Sequence, residues 1–118
     1  MENKELALKA ARILDDKQGK DIIIIDISNK ASFADYFVLA SGNSERQIGA
    51  LSDEVDDRFQ KEGITPKSIE GHRSSGWILM DYGDVIVNVL TTEMRDRYNI
   101  EKAWGDGEFI TLEGDKNE

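Results

Sequence analysis

The chain has 118 residues, no cysteine, a single histidine and a formal net charge of −9. That length fits one domain with one core, and the missing cysteines and lone His72 exclude disulfides and structural zinc. The acidic balance argues against strong direct binding to nucleic acid, whose affinity comes largely from Lys and Arg displacing counterions from phosphates, and makes a basic partner more natural.

No stretch approaches the roughly 18 apolar residues of a membrane span, and no basic, apolar leader opens the chain, so a cytoplasmic protein without a membrane partner is expected. Residues 4–17 place Leu6, Ala10, Ile13 and Leu14 at helical spacing among alanines and charges, which predicts an amphipathic helix. Four consecutive isoleucines, Ile22 to Ile25, then predict a strand over residues 21–27, buried on both faces and central in its sheet. Residues 36–40 read as a second strand. Gly42-Asn43-Ser44 turns the chain into a helix ending near Glu62. It has Ser44 and Gln47 at capping-box spacing, an apolar stripe of Ile48, Leu51, Val55 and Phe59, and Gly63 as its stop.

Residues 66–71 predict a short edge strand, since Pro66 cannot donate to a ladder. Residues 77–82 and 85–90 predict an antiparallel pair turning at Gly83-Asp84. Two helical turns over 94–98 and 100–104 follow, then a Gly-rich acidic tail from Gly105 with too few apolar residues to fold alone. The order predicts a single α/β or α+β domain, a mixed sheet with flanking helices, over residues 1–106, and a flexible tail over 107–118.

Strand alternation puts Trp77, Leu79 and Asp81 on one face, and Ile78, Met80 and Tyr82 on the other. Trp77 suits a core as well as an interface. Asp84 reads as turn chemistry, Asp35 as a strand-edge or capping acid, His72 as a solvated loop residue, and Trp104, Tyr98 and Arg97 as packing elements. The Gly42-Asn43-Ser44 turn is similar to the phosphate-holding turn of nucleotidyltransferases. No Asp-x-Asp accompanies it, and Glu70 is the lone acid on the next predicted strand, so Ser44 reads as a helix cap and a nucleotidyltransferase-like or nucleotide-binding domain is the alternative reading.

Three blocks carry a family resemblance: Ala34-Asp35-Tyr36-Phe37-Val38-Leu39-Ala40-Ser41-Gly42-Asn43-Ser44, Gly76-Trp77-Ile78-Leu79-Met80-Asp81-Tyr82-Gly83-Asp84-Val85-Ile86-Val87-Asn88-Val89, and Arg97-Tyr98-Asn99-Ile100-Glu101-Lys102-Ala103-Trp104. In that order, across about residues 4–106, the chain resembles the ribosomal silencing factor family, also called Iojap-like. The resemblance implies a nucleotidyltransferase-like sheet, no enzymatic activity and no cofactor. It implies binding to the large ribosomal subunit through its ribosomal protein numbered fourteen, which keeps the small subunit from joining and lowers translation when nutrients are short. It also implies self-association, with the predicted edge strand as one physical route to a homodimer. Carried onto this chain, it makes Trp77 and Leu79 apolar anchors, Glu70 and Asp81 acids for basic partner side chains, and Tyr82 a supporting residue. Asn88 departs from the histidine typical of the family, which puts the role of that position in partner binding in question.

Overall fold

The computed structural model describes residues 2–105, 107–110 and 112. Helix α1 (Asn3–Asp16) forms where the apolar spacing predicts it and buries Ala7, Leu8, Ala10, Ala11, Ile13 and Leu14 on one stripe. Strand β1 (Lys20–Asp26) pairs antiparallel with β2 (Tyr36–Gly42). Helix α2 (Glu45–Lys61) starts at Ser44, whose Oγ accepts the Gln47 N–H at 3.1 Å. The Gln47 side chain reaches back to the Asn43 N–H at 2.6 Å, one residue before the partner a capping box requires. At the other end Gly63, with φ of 78°, closes the helix. Its N–H reaches the Gln60 carbonyl at 3.0 Å and the Ile64 N–H reaches the Phe59 carbonyl at 2.9 Å.

Strand β3 (Ser68–His72), a turn of 3-10 helix at Arg73–Ser75, β4 (Trp77–Asp81) and β5 (Val85–Thr91) form an antiparallel meander. Two short helices, α3 (Thr92–Tyr98) and α4 (Ile100–Ala103), are separated by Asn99 at φ of 45°. Among the described residues the last strand is β6 (Glu108–Ile110).

The six strands lie in the order β3-β4-β5-β2-β1-β6, with β2 and β5 parallel and every other pair antiparallel. A parallel pair needs a crossover, and the connection through α2 and the meander supplies it. Helices α1 and α2 bury their stripes against Ile24, Val38, Ala40, Ile78, Met80, Val85, Val87 and Val89 on one face. Each such side chain fully removed from water contributes roughly 1.5–3 kcal/mol, so this layer holds most of the stabilising burial. The opposite face is covered only in part. Ile27, Ala31, Ala34, Ile100 and Trp104 pack over Ile25, Leu39 and Ile86, a cover that extends over the β1 and β2 half.

Two expectations need correction. The central strands are β2 and β5, while β1 stands one place from the edge, with Ile22 and Ile23 only partly buried. A run of isoleucines reports burial of its middle and says nothing of how many strands lie beyond it. The supposed tail also contributes to the domain. Phe109 and Ile110 pair with Ile25 and Ile24, and Leu112 is 6% exposed in the core. These few apolar residues need not fold alone, because the open edge of β1 offers them a ready ladder. Residues 113–118 of that expected tail lie outside the described residues.

Candidate functional site

Facing residues of paired strands share one side of the sheet, so the register builds the site row by row. Glu70 of β3 faces Leu79 of β4, which faces Asn88 of β5. The adjacent rows are His72, Trp77 and Leu90 on one side, and Ser68, Asp81 and Ile86 on the other. Glu70, Trp77, Leu79, Asp81 and Asn88 therefore share the face opposite α1 and α2. Trp77, Leu79 and Asp81 are partly exposed, every residue of β3 is exposed, and Asn88 is 2% exposed.

Tyr82 is not among them. Its ring packs edge-on against Phe59 of α2, with centroids 5.0 Å apart and planes at 82°, on the helix-covered face, and its hydroxyl is buried without a hydrogen-bond partner. Burial, then the charge of Asp56, push its phenol well above the usual tyrosine range. Both facts describe a core ring, so the support role implied by the resemblance has no geometry behind it.

Trp77 is held from two sides. Its Nε1 donates to Asn88 Oδ1 at 3.0 Å, and its ring meets Tyr98 with centroids 5.4 Å apart, tilted at 48°. Tyr98 is 53% exposed, so it extends the open face and does more than pack. Sequence reasoning missed it because a seven-residue helix has too few turns for its apolar spacing to show which way a tyrosine faces. Gly71 makes the approach of β3 possible. Its φ is 76°, and a Cβ there would sit 2.2 Å from the Trp77 carbonyl oxygen.

The turn chemistry expected of Asp84 is performed by Asp81, whose Oδ1 accepts the Gly83 N–H at 2.7 Å. Asp84 offers its carbonyl to the N–H groups of Asp35 and Tyr36 at 2.8 and 3.0 Å. The Asp35 carboxylate accepts from Asn3 Nδ2 at 2.9 Å, a structural tie between α1 and β2. His72 ends β3, not a loop, and shares a 2.5 Å contact between its Nδ1 and Ser74 Oγ. Trp104 packs edge-on over Phe37 at 5.4 Å, as a sheet-covering residue should. Arg97 is exposed, 3.9 Å from Glu93.

The face thus offers an indole, a leucine and a half-exposed tyrosine, with Glu70 and Asp81 at its sides. This composition suits a protein partner, whose basic side chains meet the acids while an apolar segment covers the rings. At the start of α2 the Asn43 and Gln47 N–H groups are taken by Gln47 Oε1 and Ser44 Oγ. Among the described residues no group of three or more histidines, cysteines or acids gathers to hold a metal ion.

The family described as ribosomal silencing factor during starvation matches residues 1–118. A Bacillus subtilis protein named ribosomal silencing factor RsfS is 37% identical over the whole length of both chains. The crystal structure of a Chromobacterium violaceum protein superposes with a TM-score of 0.85 at 40% identity, covering 89% of this chain and 88% of that one. A mouse protein named mitochondrial assembly of ribosomal large subunit protein 1 is 28% identical over 78% of this chain and 42% of its own length. This chain belongs to the ribosomal silencing factor family.

Proposed function

We propose that the protein docks on the large ribosomal subunit through ribosomal protein fourteen and, by occupying the subunit interface, keeps the small subunit from joining and represses translation. The observation that carries the reading is the row of exposed Glu70, partly exposed Leu79 and buried Asn88 with Trp77 and Asp81 beside it, in a chain whose relatives are named for ribosome silencing. A steric block needs a contact surface and no active site, so the role is regulatory and non-enzymatic. With a net charge of −9, the chain would be repelled by ribosomal RNA and attracted to a basic ribosomal protein exposed between RNA segments.

Self-association belongs to the same proposal. Strand β3 is a sheet edge with all five residues exposed, and an unpaired edge is a template for a second copy. A cytoplasmic site of action fits a ribosomal partner, and no helix among the described residues is long and apolar enough to cross a membrane.

Sedimentation with separated subunits tests the docking. The protein is expected to travel with the large subunit and not with the small one. Sedimentation with neither, at saturating protein, would remove the proposal.

A further inference from the structure

Among the described residues, two buried side-chain polar atoms have no hydrogen-bond partner: the Tyr82 hydroxyl and Asn88 Nδ2. The first is enclosed under α2. The second lies within the docking face, between Leu79 of β4 and Leu39 of β2, neither of which carries an acceptor. Trp77 fixes how the amide is turned. An indole nitrogen only donates, so Asn88 must present its oxygen to Trp77 Nε1 at 3.0 Å and direct its nitrogen elsewhere; exchanging the two would set donor against donor. The result is a buried N–H pair between two leucines, an arrangement that costs stability and that any aliphatic residue would avoid.

We infer that Asn88 Nδ2 is a specificity-determining donor for the docked partner, and that it takes a neutral oxygen, a main-chain carbonyl of that protein. The inference rests on the proposed docking. Glu70 stands in the same row and Asp81 in the next, so a carboxylate arriving at Asn88 would meet like charges on its β3 and β4 side. The lysines and arginines that those acids attract are donors only and cannot satisfy an N–H. A backbone carbonyl carries no charge and accompanies every apolar residue that could fill the face. The Trp77 indole lies between Asn88 and the half-exposed Tyr98.

The test uses the full chain, purified large ribosomal subunits and thermal melting. Asn88→Leu deletes the amide at similar volume. It is expected to bind at least about tenfold more weakly while its melting temperature falls by no more than the roughly 4 °C that loss of the single hydrogen bond to Trp77 Nε1 would cost. Asn88→His keeps an acceptor for Trp77 on one ring nitrogen and a donor on the other, and is expected to hold affinity within about threefold. Asn88→Leu binding like wild type, or both variants losing affinity in step with stability, overturns the inference. Should Asn88→Leu fail to fold, the side-chain amide resonances of Asn88 in the unmodified protein decide. A downfield proton shift with slowed exchange, on adding isolated ribosomal protein fourteen, supports the donor role, and unchanged resonances in the bound state overturn it. If wild type itself does not bind the subunit, both readings fall; if it binds and Asn88→Leu binds equally, only this one does.

Discussion

Replacing Trp77 by alanine separates an anchor from a core residue, and the structure sets the size of both effects. In the free protein the indole makes one hydrogen bond, to Asn88, and one ring contact, to Tyr98, while part of its surface stays open. A net hydrogen bond is worth about 1 kcal/mol and an aromatic pair about 0.5–1.5 kcal/mol, so truncation should cost roughly 2 kcal/mol of stability. A fully buried tryptophan would cost about 3–5 kcal/mol. For a domain near this size, roughly 4 °C of melting temperature per kcal/mol gives a fall of about 8 °C. Loss of a central aromatic anchor costs on the order of 2 kcal/mol in binding, and with each ~1.4 kcal/mol a factor of ten, the Kd for large subunits should rise about 30-fold. Melting followed by circular dichroism, with sedimentation titrations well below the variant's midpoint, measures both. A folded Trp77→Ala protein that binds as tightly as wild type refutes the placement of the interface on this face. A melting temperature lowered by twice the stated amount would show the indole to be core.

The other predictions probe the two acids, the excluded tyrosine and the nucleotide alternative. Asp81→Asn keeps an oxygen for the Gly83 N–H and removes only the charge, so stopped-flow association with the large subunit should slow and lose part of its salt dependence. Asp57→Asn, on the solvent side of α2, removes the same charge remotely, and equal slowing in both variants would deny Asp81 a local partner. Tyr82→Phe should leave binding unchanged and stability equal or up to about 1 kcal/mol higher, since it deletes a buried hydroxyl without a partner. The fold holds the Tyr82 proton to higher pH than the unfolded chain does, so titration of this group leaves stability unchanged below about pH 10 and lowers it as pH rises beyond that. Alkaline melting series should therefore show wild type losing stability faster than Tyr82→Phe above that pH, and parallel curves would contradict the burial argument. Ser44→Ala should cost about 1 kcal/mol through its cap alone. Calorimetry with the four nucleoside triphosphates and magnesium should show no micromolar binding, and binding that Ser44→Ala abolishes would restore the nucleotide reading.

What could be read from the chain followed the range of the interactions involved. Helices α1 and α2 and the β4–β5 pair rest on local spacing, on Ser44 and Gly63 at their termini and on the Gly83 turn, and all were visible. The pleat of β4 also divided Trp77, Leu79 and Asp81 from Tyr82. The family resemblance drew Tyr82 back toward the interface, and packing against Phe59 decided for the pleat. The place of β1 and the existence of β6 depend on pairing between residues about 85 positions apart, which three residues such as Glu108–Ile110 cannot announce. The exposure of Tyr98 and the burial of Asn88 were hidden for different reasons. One needed the direction of a seven-residue helix, and the other needed the side chain that fills the space above it, which only the Trp77 hydrogen bond supplies.

The central claim is steric, so the most direct measurement is subunit joining itself, followed by light scattering as small subunits are mixed with large subunits preincubated with the protein. The account predicts that joining falls in proportion to large subunits occupied, and that Trp77→Ala at the same concentration leaves it largely intact. Joining that proceeds unchanged with every large subunit occupied would contradict it.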